Sequence, residues 1–112
     1  MDRPLADMAQ ALRDGNVTAT EIGETVIARH DAWDEKLTAY KNWNAENTLD
    51  QATAADHALK TGNDLGALAG IPISVKDIYG VEGFPTFAGS PNQLPPEWEK
   101  EGPVVKAVRR QL

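Results

Sequence analysis

The 112-residue chain has no cysteine. That excludes thiol nucleophiles, disulfide staples and cysteine-ligated zinc, and it sets the chain apart from small secreted scaffolds. Histidine is scarce. His30 and His57 fall on separate expected helices, and neither is read as having a metal-ligating partner at suitable spacing, since Asp56 beside His57 faces elsewhere. No metal and no cofactor are therefore expected. Positive charge is also short: 11 Lys and Arg against 17 Asp and Glu give a net charge of −6. Such a surface neutralises neither nucleic acid nor an anionic membrane, so neither is expected as a partner. No apolar run reaches the roughly 20 residues that span a bilayer. The opening "MDRPLADMAQ" lacks the apolar core of a signal peptide. A cytoplasmic location is the expectation, and Asn16-Val17-Thr18 reads as a turn and helix cap rather than a glycosylation site.

What remains is ordinary globular composition, 41% apolar and 25% charged, in one domain at most. Leu5, Met8, Ala9 and Leu12 recur at helical spacing between Pro4 and Asp14, with Gly15 as a stop. Thr18 and Glu21 have capping-box spacing and open a second helix ending around Asp34. Trp33 and Trp43 flank its end and read as core anchors. "LTAYKNW", Leu37 to Trp43, reads as a strand or extended link. A third helix is expected from Ala45 to Lys60, with a narrow alanine-rich stripe, and "TGNDLG" breaks it.

The pattern changes at Gly66. Ile71, Ile73 and Val75 alternate with Pro72, Ser74 and Lys76, the period of a strand. Gly80 to Pro96 holds three glycines and four prolines, a loop of defined shape. "PVVKAVRRQL" then starts a helix with Val104, Val108 and Leu112 on one side. The pattern stops inside that helix, and one clear strand cannot satisfy its own edges. Both features favour the front part of a larger protein.

Lys76 is the sharpest chemical candidate. On a strand of a large sheet it would be partly buried, and burial favours a lysine's neutral, basic form. The plainer alternative is a solvated strand-end lysine paired with Asp77 or a neighbour. Ser74 lies two residues away on the same expected face, but Ser-x-Lys on a strand lacks a separate base and an oxyanion site. Ser90, the other serine, reads as a turn residue. The glycines from Gly62 to Gly70 form no phosphate loop, because no Gly-Lys-Ser/Thr follows.

The stretch "GALAGIPISVKDIYGVEGFPTFAGSP" resembles the amidase signature family, serine hydrolases of amides. The matching residues are Gly70, Ile71, Pro72, Val75, Lys76, Asp77, Gly83, Pro85, Thr86, Gly89 and Ser90. "VTATEI", the helix after it and "LTAY" also look like the family's N-terminal arrangement. The resemblance implies an α/β fold: a large mixed twisted sheet covered by helices on both faces. Residues 1–112 would form the N-terminal portion of a single amidase domain, mainly helices with one clear strand.

It also implies a Ser-Ser-Lys triad in which Lys76 is the base and Asp77 a supporting residue. The two serines would lie in a later Gly/Ser-rich segment, since neither Ser74 nor Ser90 matches them. The substrate would be a small-molecule amide, and the chain alone is not expected to hydrolyse it. The alternative is a non-catalytic helical module that associates through its unpaired strand edge, as a homo-oligomer or with a partner sheet.

Overall fold

The computed structural model describes residues 3–63 and 66–112. Asp64 and Leu65, within the expected break after the third helix, lie outside the described residues. The chain divides into two compact units, Met1–Pro72 with Gln111–Leu112, and Ile73–Arg110.

Among the described residues the first unit holds three helices: α1 (Leu5–Arg13), α2 (Ala19–Leu37) and α3 (Ala45–Lys60). α1 starts after Pro4, carries Asp7 in its first turn and Arg13 in its last, and so complements its own dipole at both ends. The Arg13 guanidinium donates to the Gly66 carbonyl at 2.7 Å, pinning the chain that follows α3. α2 opens on the expected capping box. The Glu21 amide donates to Thr18 Oγ1 at 3.1 Å, and the Thr18 amide donates to the Glu21 carboxylate at 2.8 Å.

α2 continues one turn past its expected end, to Leu37. It stops where Thr38 takes a left-handed conformation, φ 46°. Asp34 there accepts from the Ala39 and Tyr40 amides at 2.9 and 3.3 Å. These bonds hold residues 38–43 as a link, not a strand.

α2 and α3 pack against each other. Gly23 allows the close approach: a Cβ there would already lie 3.5 Å from Ala52 and 3.7 Å from Leu49. The small core is Leu12, Ala19 and Ile22, with Met8, Val17, Ala52, Ala55, Leu59 and Ile71 packed against it. α3 also closes the start of α2. The Asp56 carboxylate accepts from the Ala19 amide at 2.6 Å, the Thr20 amide at 3.0 Å and the Thr20 hydroxyl at 2.6 Å. It satisfies amides that the start of a helix otherwise leaves unpaired.

Trp33 corrects the sequence reading. It is 56% exposed, one turn before the likewise exposed Leu37, so it is not a core anchor. Trp43 instead stacks flat on His30, ring centroids 3.9 Å apart and planes 2° apart, with Tyr40 edge-on to Trp43.

The second unit has one short helix, α4 (Pro103–Arg109), one 3-10 turn (Pro96–Glu99) and an isolated bridge between Val81 and Phe84. The expected strand at Ile71–Lys76 is corrected: no β-sheet exists among the described residues, and this segment has no regular structure. The alternating pattern is real, but a ladder needs a second chain segment to pair with, and none of the described residues supplies it. Ile73 and Val75 accordingly remain 42% and 43% exposed. α4 begins at Pro103 as expected, but it buries Val105, and Val104 faces out at 57% exposure. Glu101, at the foot of α4, is nearly buried. Its carboxylate takes a two-pronged bond from Arg109, with Nε at 2.9 and 3.0 Å, and accepts from the Glu82 amide at 3.3 Å.

Candidate functional site

Lys76 and Asp77 sit where the irregular segment enters a turn. The Tyr79 amide donates to the Lys76 carbonyl at 3.0 Å and closes residues 76–79. Gly80 follows because nothing larger fits. A Cβ there would overlap the carbonyls of Trp98 and Lys100, backbone atoms that cannot step aside.

The side chains of the neighbouring Lys76 and Asp77 do different things. The Asp77 carboxylate accepts from the Phe87 amide at 3.1 Å, and the Asp77 carbonyl accepts from the Ala88 amide at 2.9 Å. Both bonds lead into the turn Phe87–Ser90, closed by the Ser90 amide on the Phe87 carbonyl at 2.9 Å. Ala88 and Gly89 have φ of 51° and 78°, the pattern of a type I′ turn. Glycine takes that conformation freely, whereas alanine is strained in it by about 1–2 kcal/mol. Asp77 therefore holds the strained half of the turn.

Thr86 fixes the same loop from its other side. It is the buried polar residue of this unit, 3% exposed. Its hydroxyl donates to the Trp98 carbonyl at 3.3 Å, and its carbonyl accepts from the Leu94 amide at 2.8 Å.

Lys76 is exposed, not partly buried as a sheet position would make it. No hydrogen bond or ion pair joins its amine to Asp77 or to another described residue. The expected alternative of a solvated lysine agrees with this exposure, but its pairing with Asp77 or a neighbour is corrected: the Asp77 carboxylate is turned to the Phe87 amide. Ser74 is exposed and not bonded to Lys76, and Ser90 Oγ accepts from the Asn92 amide at 3.0 Å, a turn contact. The two serines and Lys76 thus form no catalytic group among the described residues.

One cluster escaped the sequence reading. His30 has a carboxylate facing each ring nitrogen, Asp31 at 3.2 Å from Nδ1 and Asp34 at 3.4 Å from Nε2. The signal was the i, i+4 spacing of His30 and Asp34, which places both on one face of α2. No group of three or more His, Cys, Asp or Glu able to hold a metal occurs among the described residues.

The family model described as Amidase matches residues 21–111. The chain belongs to the amidase family. The match covers Lys76, Asp77 and the whole of the loop that Asp77 holds. The chain is 44% identical over 108 residues to a 2-amino-5-chloromuconic acid deaminase of Comamonas testosteroni, covering 96% of this chain and 23% of the relative. It is 42% identical over 85 residues to a glutamyl-tRNA(Gln) amidotransferase subunit of Streptomyces avermitilis, covering 76% and 17%. It is 35% identical over 106 residues to the corresponding amidotransferase subunit of Salinispora tropica, covering 93% and 21%.

The chain thus spans about a fifth of the length of these relatives. Membership of the amidase family is consistent with an α/β class for the whole domain, while the described residues of this chain are helical and irregular. No helix among them is long and apolar enough to cross a membrane.

Proposed function

We propose that residues 1–112 are the N-terminal portion of one amidase domain, and that Lys76 is its general base. The reaction is hydrolysis of a carbon–nitrogen bond in an amide through a Ser-Ser-Lys triad whose two serines come from the rest of the polypeptide. The neutral Lys76 amine takes a proton, through the bridging serine, from the nucleophilic serine. The serine oxygen attacks the amide carbonyl and forms a tetrahedral intermediate. The carbon–nitrogen bond then breaks, the proton passes from Lys76 back to the leaving nitrogen, and an acyl-enzyme remains. Water, deprotonated by the same relay, releases the acid and restores the serine.

The observation that carries this reading is the uncommitted amine of Lys76 beside a carboxylate spent on another partner. A base needs a free lone pair, and an ion pair with Asp77 would hold the amine charged. Desolvation favours the neutral amine, and polypeptide packed over the exposed Lys76 would supply it. The substrate class favoured is a small-molecule amide or related carbon–nitrogen compound. It is supported by the deaminase relative, which matches over almost the whole chain, and by the acidic balance, which suits a nucleic-acid substrate poorly. The test is hydrolysis of 4-nitroacetanilide and glutamine by the complete native polypeptide, by its Lys76→Ala variant, and by residues 1–112 alone. Only the first is expected to be active. Steady turnover by residues 1–112 contradicts the reading.

A second reading rests on the exposed, unladdered segment at Ile73 and Val75. There the chain would act as a non-catalytic module that adds this edge to a partner sheet or to a second copy of itself. Concentration-dependent association that Ile73→Lys abolishes, without any hydrolase activity in the complete polypeptide, would favour it.

A further inference from the structure

Resting on the reading of Lys76 as the base, we infer that Asp77 is a positioning residue that works through the Phe87–Ser90 turn and not through its charge on Lys76. A carboxylate beside a base lysine could act on it in either of two ways. In contact with the amine it would hold it charged and leave no lone pair free to accept a proton. Turned away, it can fix the backbone on which the amine stands. The geometry selects the second: Asp77 accepts from the Phe87 amide with its side chain and from the Ala88 amide with its carbonyl, and it makes no bond to Lys76.

The turn it holds needs holding. Ala88 occupies a left-handed φ of 51°, a conformation that an alanine leaves when its neighbours release it. Strain of this kind persists where the surroundings impose it, and Thr86 imposes the other half through Leu94 and Trp98. The residue directly after Lys76 is thereby tied at two points to a loop that is itself tied at two more. The position of the lysine backbone is fixed without any contact to its amine.

What Asp77 supplies is a hydrogen-bond acceptor aimed at Phe87, and an amide oxygen supplies the same acceptor. The test uses the complete native polypeptide and the rate at which a fluorophosphonate labels its nucleophilic serine, followed against pH. In that labelling the serine oxygen bonds to phosphorus, fluoride leaves, and the serine proton passes to the base. It therefore reads the base without requiring the natural substrate. Asp77→Asn is expected to keep the labelling rate within about three-fold, with the acid limb of its pH profile unmoved, because the acceptor remains. Asp77→Ala is expected to lose about 100-fold, as a misplaced catalytic group does, with faster hydrogen exchange at the Phe87 amide.

Loss in Asp77→Asn equal to that in Asp77→Ala, or a moved acid limb in Asp77→Asn, overturns the inference, because charge on Lys76 would then be the operative effect. Undiminished labelling in Asp77→Ala overturns it too. Should Asp77→Ala not fold, the acid limb and the Phe87 amide exchange of Asp77→Asn decide the matter. Lys76→Ala separates the two claims. If it labels as fast as the native protein, the base assignment fails, while exchange at Phe87 still reports on the latch.

Discussion

The carboxylate of Asp77 accepts from the backbone amide of Phe87 at 3.1 Å and leaves the adjacent Lys76 amine without a partner. Adjacent opposite charges would pair if nothing better were on offer. A backbone amide ten residues away is better here, because it lies in a loop otherwise forced into a strained turn.

Ala88→Gly should stabilise the fold by about 0.5–1 kcal/mol. Glycine removes the left-handed strain at φ 51° but adds unfolded-state entropy, which offsets part of the gain. Thermal or urea denaturation of native and variant chains checks it. A destabilised variant would mean that the alanine methyl makes packing contacts that outweigh its strain.

Gly80→Ala should cost about 1–3 kcal/mol, the range for forced overpacking, because its Cβ would meet the carbonyls of Trp98 and Lys100. Gly15→Ala differs in kind: its Cβ meets nothing, and only its φ of 70° opposes the change. A urea midpoint for Gly80→Ala at or above that of Gly15→Ala would contradict the close approach.

Asp56→Ala should cost about 1–2 kcal/mol, the range for a lost helix cap. Burial raises this carboxyl's pKa, but the Thr20 hydroxyl, the Ala19 and Thr20 amides and the Lys60 charge outweigh it and hold the group below its ordinary 3.8. A depressed folded-state pKa means stability that is fully present above 3.8 and lost as pH falls through the lower folded value. The native chain should therefore lose stability below pH 3.8 more steeply than Asp56→Ala. Parallel acid denaturation curves for the two would contradict the cap.

Arg109→Met should cost about 1–3 kcal/mol, because it leaves the nearly buried Glu101 carboxylate with only the Glu82 amide. Arg109 hydrogen bonding chiefly holds Glu101 below its ordinary pKa, against the opposing effect of burial. The lost stability should thus be visible at neutral pH and shrink as pH falls and the carboxyl protonates. Denaturation at pH 7 and pH 3 separates this from a simple loss of side-chain packing, which would not depend on pH.

Much of the helical unit is legible in the sequence because its signals are local. The Thr18–Glu21 capping box and the spacing of Leu5, Met8 and Leu12 fix helix starts within a few residues, and the structure places α1, α2 and α3 accordingly. The end of α2 was not legible. It depends on Asp34 reaching forward to the Ala39 and Tyr40 amides, and periodicity carries no mark of that. Asp56 on the amides of Ala19 and Thr20 is a contact between residues more than 35 apart, invisible to any window. The Ile71–Val75 alternation has the period of a strand, but a strand is a relation between two segments, and none of the described residues pairs with this one, which is irregular.

At the candidate site the motif named Lys76 and Asp77, and their order in the chain suggested a pair. Only the fold shows that Asp77 is turned toward Phe87. The strained Ala88 was unreadable for a related reason: alanine gives no sign of positive φ, whereas Gly89 beside it does.

The role of Lys76 as the base is tested by the rate of amide hydrolysis by the complete native polypeptide and by its Lys76→Ala variant, measured across pH 6 to 10 on 4-nitroacetanilide. With Lys76 as the base, the variant should lose about 100-fold or more in kcat at every pH, in line with the loss of a general base, while its thermal midpoint stays within a degree or two of the native value. A Lys76→Ala polypeptide that hydrolyses the amide at the native rate would contradict the account.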